Sequence, residues 1–158
     1  MSKLKIYTDG SHLKHTTGRL GVGGIIVKND KIIDEFSKEV STDYLKLSYG
    51  TSDVSNPTCE MLAALHALYY FKNDINAHDT IELYADYQGV SSWLNGTWKI
   101  NKPYIQKIKD DINEEINRQH LKGRITFHWV KGHQKGDNQD AIYNNIVDKL
   151  SKGEDYGK

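Results

Sequence analysis

Alternating apolar and polar positions dominate the first forty residues. Leu4 and Ile6 open a short strand expected to stop at Asp9-Gly10, and GVGGIIV (21–27) and KIIDEFSKEV (31–40) are two further strand-like runs. The Asn29-Asp30 pair between them favours a tight hairpin turn. Residues 41–57 are polar and irregular, contain Gly50 and Pro57, and read as an exposed loop. The period then changes. Asn56 suits a helix cap and Pro57 the first helical position, and residues 61–71 are apolar nearly all round, which predicts a helix buried against a sheet. Alternation returns at Thr80–Ala85, Ile105, Ile108, Ile112 and Ile116 have helical spacing, residues 124–130 form a fifth strand, and residues 140–152 form a closing helix. The order β-β-β-α-β-α-α-β-α predicts an α/β fold: a five-stranded mixed sheet, an antiparallel hairpin continued by parallel crossovers, flanked by helices. One domain is expected over residues 1–158, with its core at about 3–152 and a short polar C-terminal tail.

Composition narrows the class. Apolar residues make up 37% and charged residues 27%, the balance of a soluble globular chain rather than a disordered one. The 21 Lys and Arg match the 21 Asp and Glu, so there is no global basic field and any nucleic-acid binding must come from a local patch. A single cysteine, Cys59, excludes an internal disulfide framework and fits a reducing compartment. No apolar run is long enough to span a bilayer, and the N-terminus lacks a signal-peptide pattern. A cytoplasmic monomer with no membrane and no obligate protein partner is expected.

Four acids carry the candidate chemistry. Asp9 ends the strand in KIYTDGS, Glu60 opens the apolar helix in NPTCEMLAALHAL, Asp86 ends the strand in IELYADYQG, and Asp148 lies on the closing helix in NNIVDKLSK. His133 sits in the glycine-flanked loop of HWVKGHQKGD. In open α/β sheets, crevices form at the carboxyl ends of adjacent parallel strands, and Asp9 and Asp86 both belong there. Carboxylates gathered at one edge repel unless a cation sits among them, so the set points to a divalent-metal site suited to phosphoryl transfer. Oxygen ligands with retained waters suit Mg²⁺. Each acid taken alone has an ordinary explanation: turn residue, helix-dipole partner, solvated helix face. Gly21, Gly23 and Gly24 lie inside a strand, which favours room for a close backbone or substrate over a phosphate loop. His12, His15, His128 and Cys59 lack zinc spacing. His66 reads as a satisfied core histidine and His128 as structural. The acidic neighbour Glu60 disfavours a thiolate at Cys59, against a Cys59–His133 nucleophilic pair.

The combination resembles type 1 ribonuclease H, through YTDGS at 7–11, N-x-x-x-E-x-x-A-A at 56–64, ADYQ at 85–88, HWVKGH at 128–133 and N-x-x-x-D at 144–148. These five motifs stand in the family's order from Lys5 to about Leu150. The resemblance implies a ribonuclease H-like fold and an endonuclease that hydrolyses the RNA strand of RNA–DNA hybrids with two Mg²⁺ ions, Mn²⁺ being the substitute. It also implies 5′-phosphate and 3′-hydroxyl ends. By the same resemblance Asp9, Glu60, Asp86 and Asp148 are the metal ligands, and His133 assists proton transfer or product departure. Gly10, Ser11, Asn56 and Gln88 would contact RNA 2′-hydroxyls, the group that distinguishes RNA from DNA, and Trp93 would line a DNA-phosphate channel. Asn144 of the last motif is also implied as a substrate contact.

Three features depart from the family pattern. Asn145 stands where many relatives carry Glu, Tyr87 where a small serine is common, and a basic helical protrusion after the fourth strand is missing. The residues there are Trp93, Trp98, Lys99, Lys102 and Lys107, followed by acids, so weaker hybrid binding with a shallow salt slope is expected. Other readings stay open. The chain could be another nuclease of the same superfamily acting on DNA, a hybrid- or RNA-binding module with impaired catalysis, or a domain of a larger polymerase.

Overall fold

A computed structural model describes residues 2–13, 19–131 and 138–154. The strands are β1 (Lys3–His12), β2 (Arg19–Lys28), β3 (Lys31–Ser41), β4 (Thr80–Ala85) and β5 (Ile125–Trp129). The helices are α1 (Thr42–Tyr49), α2 (Asn56–Tyr70), α3 (Gln88–Leu94), α4 (Pro103–Arg118) and α5 (Gln139–Ser151). The strands form one sheet in the order β3-β2-β1-β4-β5. β1–β2 and β2–β3 pair antiparallel, β1–β4 and β4–β5 parallel, as the chain's alternation predicts. Asn29 and Asp30 both take positive φ, the conformation that lets a two-residue turn match strand twist.

The period-2 pattern splits the core in two. Leu4, Ile6, Ile81 and Leu83 face α2 and α4, where the fully buried Ile108 and Ile112 complete the larger core. Tyr7, Ile25 and Val27 face the other way and pack with Tyr143, Val147 and Leu150 of α5. Helices therefore cover both faces, which puts the ends of β1 and β4 between α2 on one side and α5 on the other.

Three expectations need correction. The first strand does not stop at Asp9-Gly10: it runs to His12, because Asp9, Gly10 and Ser11 keep pairing with Gly23, Val22 and Gly21. Residues 41–57 are not an open loop. They contain α1, capped by Ser41, whose side chain accepts a hydrogen bond from the Tyr44 amide. Its Leu45 and Tyr49 are buried, and the Tyr49 hydroxyl donates to Asp111 of α4 at 2.7 Å. Only two apolar positions point inward over eight residues, too few to show as a period in sequence. Finally, Ser55 rather than Asn56 is the N-cap residue of α2; Asn56 is the first helical residue and is exposed. Glu60 consequently lies in the second turn.

Glycines set how closely the layers approach. A β-carbon on Gly10 would stand 2.1 Å from the Cys59 carbonyl oxygen, and one on Gly21 would stand 1.8 Å from that of Ser151. Only hydrogen at these positions lets α2 and α5 close onto the strand ends. His66 is buried as expected, yet its Nε2 has no hydrogen-bond partner among the described residues, and burial lowers its pKa to about 4.

Because α1 contributes a fully buried side chain, Leu45→Ala is expected to lower unfolding stability by about 2–5 kcal/mol in urea titration. An exposed loop would register almost no change.

Candidate active site

Asp9 lies on β1 and Asp86 directly follows its parallel neighbour β4, and Glu60 descends on α2 across the gap that Gly10 keeps narrow. One carboxylate oxygen from each of Asp9, Glu60 and Asp86 can be chosen so that all three lie within 4.8 Å of one another. Asp9 and Glu60 are buried and Asp86 is half-buried. The Gly10 amide lies 3.0 Å from Asp9 Oδ1 and 2.8 Å from Glu60 Oε1, donating toward both. Glu60 Oε2 is buried with no hydrogen-bond partner among the described residues.

This arrangement is electrostatically unfavourable by itself. Burial pushes the Asp9 carboxyl up to about 7; a hydrogen bond with Glu60 pulls it back, while the charges of Asp86 and Asp148 add to the rise. Burial, followed by the hydrogen bond and charge of Asp9, drives Glu60 well above the usual carboxylate range. The Gly10 amide opposes that rise only in part. Three converging carboxylate oxygens in a largely buried crevice fit a hard divalent cation, which would supply the positive charge the site lacks.

Asp148 is placed beside this group rather than inside it. It raises the Asp9 pKa, but its own carboxylate accepts from Lys152 Nζ at 3.2 Å. It stands on α5 with a partly exposed side chain. His133 lies outside the described residues. Of the predicted substrate contacts, Gly10 is buried with its amide directed at the carboxylates, and Ser11 is half-buried. Asn56 and Gln88 are exposed at the starts of α2 and α3, and Asn144 is buried on α5 one turn before Asp148. Trp93 is half-buried between Tyr87 and Trp98, at ring-centroid distances of 5.7 and 6.2 Å. Tyr87 thus finds room by turning toward Trp93 and over Gly89, where a β-carbon would stand 2.1 Å from its ring. Cys59 is fully buried, which pushes its thiol up to about 12 and argues against a nucleophilic role.

Two residues of the site escaped the sequence reading. Ser151, almost fully buried, lies 2.6 Å from the Ser11 hydroxyl, donates to the Asp148 carbonyl at 2.7 Å, and is 3.5 Å from Asp9 Oδ2. Its position three residues after Asp148 places both on one helix face, a usable signal. The Trp129 indole Nε1 donates to the Asp86 backbone carbonyl at 3.0 Å, tying β5 to the turn that presents Asp86. That contact crosses between two strands and has no signature along the chain.

The family model for RNase H matches residues 1–155. The ribonuclease H of Ruthia magnifica subsp. Calyptogena magnifica is 32% identical over 167 residues, spanning 96% of this chain and 99% of that protein. In structure, LC11-RNase H1, isolated from compost by a metagenomic approach, aligns with a TM-score of 0.71 at 17% identity, over 97% of this chain and 98% of that one. The same enzyme in complex with an RNA/DNA hybrid aligns with a TM-score of 0.68 at 15% identity, over 95% and 97%. At these identities the structural likeness concerns the fold.

A carboxyl whose folded pKa is raised binds a proton that the unfolded chain has already released. Without metal, Asp9 should therefore cost stability progressively as pH rises from about 4, the ordinary carboxylate value, to about 7. Asp9→Asn is accordingly expected to raise the metal-free melting temperature more at pH 7.5 than at pH 5. Thermal scans in EDTA at both pH values test this, and an equal gain at each pH would contradict it. Trp129→Phe keeps an aromatic ring but deletes the donor to Asp86; it is expected to weaken divalent-metal binding several-fold by calorimetry while changing the melting temperature little.

Proposed function

The chain belongs to the ribonuclease H family of hydrolases, and from that premise we propose that it cuts the RNA strand of RNA–DNA hybrids with two bound divalent ions, Mg²⁺ by preference. The products would carry 5′-phosphate and 3′-hydroxyl ends. The observation that carries this reading is the convergence of one carboxylate oxygen each from Asp9, Glu60 and Asp86 within 4.8 Å of one another. The solved complex of LC11-RNase H1 with an RNA/DNA hybrid supports the substrate class.

Bound divalent ions would supply water activation and stabilisation of the leaving oxygen, the two demands of phosphodiester hydrolysis. The remaining work falls to the protein. Asp9, Glu60 and Asp86 would hold the ions, with Asp148 completing the set after exchanging its lysine partner for a cation. The Gly10 amide directs the Asp9 and Glu60 carboxylates, and the Trp129 indole fixes the backbone that presents Asp86. His133 is assigned to proton transfer or product departure. Gly10, Ser11, Asn56, Gln88 and Asn144 are assigned to the RNA strand, on which a 2′-hydroxyl is the only distinguishing group at a given position.

The DNA strand has a separate candidate seat. A cavity of about 230 Å³ is lined by Thr58, two residues before Glu60 in the chain, and by Tyr87, directly after Asp86. Trp93 and Lys99 line it as well, offering an aromatic wall and a cation to a sugar–phosphate backbone.

The decisive assay is cleavage of an end-labelled RNA–DNA hybrid with Mg²⁺, beside single-stranded RNA, double-stranded RNA and double-stranded DNA, with an EDTA control. Metal-dependent cutting of the hybrid alone is expected. Asp9→Asn is expected to lower the rate by at least about 100-fold while hybrid binding persists, since it removes charge from the metal ligands without touching the strand contacts. Near-normal activity in that variant would refute the assignment, and cutting of double-stranded DNA would move the chain to a sister nuclease function.

A further inference from the structure

The cavity proposed for the DNA strand contains a charge of the wrong sign. Its charged lining residues, among the described ones, are Lys99, Lys102 and Asp53. A groove for a polyanion gains from cations and loses from a carboxylate. Asp53 is nevertheless firmly built in. Its Oδ1 accepts from the Ser55 amide at 2.8 Å, just ahead of α2, and its Oδ2 accepts from the Tyr104 hydroxyl at the start of α4. Lys102 Nζ stands 3.7 Å from the same Oδ2 and 5.7 Å from the centre of the Tyr104 ring. Burial works against ionisation of Asp53, but the hydrogen bonds from Tyr104 and Ser55, with Lys102 alongside, outweigh it and hold the carboxyl at about 2.

From this geometry we infer that Asp53 is an affinity-tempering residue: it occupies Lys102 and sets a fixed negative charge in the strand cavity, so that hybrid is held more weakly than the lysines alone would hold it. The inference rests on the cavity being the seat of the DNA strand. Its physical basis is competition. Lys102 has a largely exposed side chain that could swing toward a phosphate, yet Asp53 and the Tyr104 ring give it a partner inside the protein. A backbone phosphate entering the cavity must displace Lys102 from Asp53 or bind without it, and in either case it meets the carboxylate. Balanced overall charge, with 21 cations against 21 acids, leaves no distant basic field to mask this local effect. A weaker grip suits an enzyme that must release a cut hybrid before rebinding.

The test uses Asp53→Asn, because the amide oxygen can still accept from the Ser55 amide while the new amide nitrogen can donate to the Tyr104 hydroxyl oxygen, and the wall of the cavity is kept. Binding of a fluorescent RNA–DNA hybrid is measured by anisotropy across a salt series, with Ca²⁺ in place of Mg²⁺, for the wild type, Asp53→Asn, Lys102→Gln and the double variant. Asp53→Asn is expected to bind about fivefold more tightly at low salt, and its log–log salt slope should steepen by about 0.9, the signature of one added phosphate contact. Lys102→Gln should change little in the wild type and should erase most of the gain in the Asp53→Asn background. Unchanged affinity and slope in Asp53→Asn, or weaker binding, would overturn the inference while leaving the enzyme's function intact. Wild-type protein that binds hybrid but fails to cut it with Mg²⁺ would instead overturn the functional reading, and the binding comparison would still decide the role of Asp53. Failure to bind hybrid at all would overturn both.

Discussion

The structure depends on one costly placement: Asp9 and Glu60 are brought together in a dry crevice where neither is readily ionised. A buried carboxylate is tolerable only if it is protonated, hydrogen-bonded or paired with a cation. The Gly10 amide provides a partial remedy, and burial pushes both acids toward protonation. The remaining deficit is positive charge. A divalent ion bound there would serve folding and catalysis with the same interaction.

Close backbone approach makes this placement possible. α2 can deliver Glu60 only because Gly10 has no side chain to collide with the Cys59 carbonyl, and α5 can bring Ser151 and Asp148 near Asp9 only because Gly21 leaves room for the Ser151 carbonyl. The twofold alternation of β1 then separates tasks: Leu4 and Ile6 anchor the core under α2, while Tyr7 anchors the smaller core under α5. Asp9 continues the same strand between these two packed layers, so its position is fixed from both sides. Around this centre stand the Lys152 pair of Asp148 and the Asp53–Lys102–Tyr104 clasp, whose lysines are exposed.

Much of this was legible in the chain. Thr80–Ala85 was readable to the residue because Ile81, Leu83 and Ala85 alternate without interruption and are buried on one face. The four isoleucines of α4 declared their helix through spacing alone, and all four are buried. The three converging acids could be named as candidates because they sit at strand ends and a helix start, settings from which one edge of a parallel sheet is reachable. α1 was not legible, since a two-turn helix with two inward residues gives no period above background. The continuation of β1 past Gly10 was hidden for a related reason: a glycine after an aspartate is the usual mark of a turn, and only pairing with β2 overrides it.

The sequence by itself determined the elements and the identity of the acids, because backbone periodicity and residue chemistry are local properties. Only the tertiary structure decided that Asp9, Glu60 and Asp86 form the close group while Asp148 stands beside it, held by Lys152. It alone joined Trp129 to Asp86, Ser151 to Ser11, and Asp53 to Tyr104. These contacts span 43, 140 and 51 residues of chain, and the distance between such groups is set by how closely packed layers approach. That approach is governed by steric fit at a few glycines, which no one-dimensional pattern records.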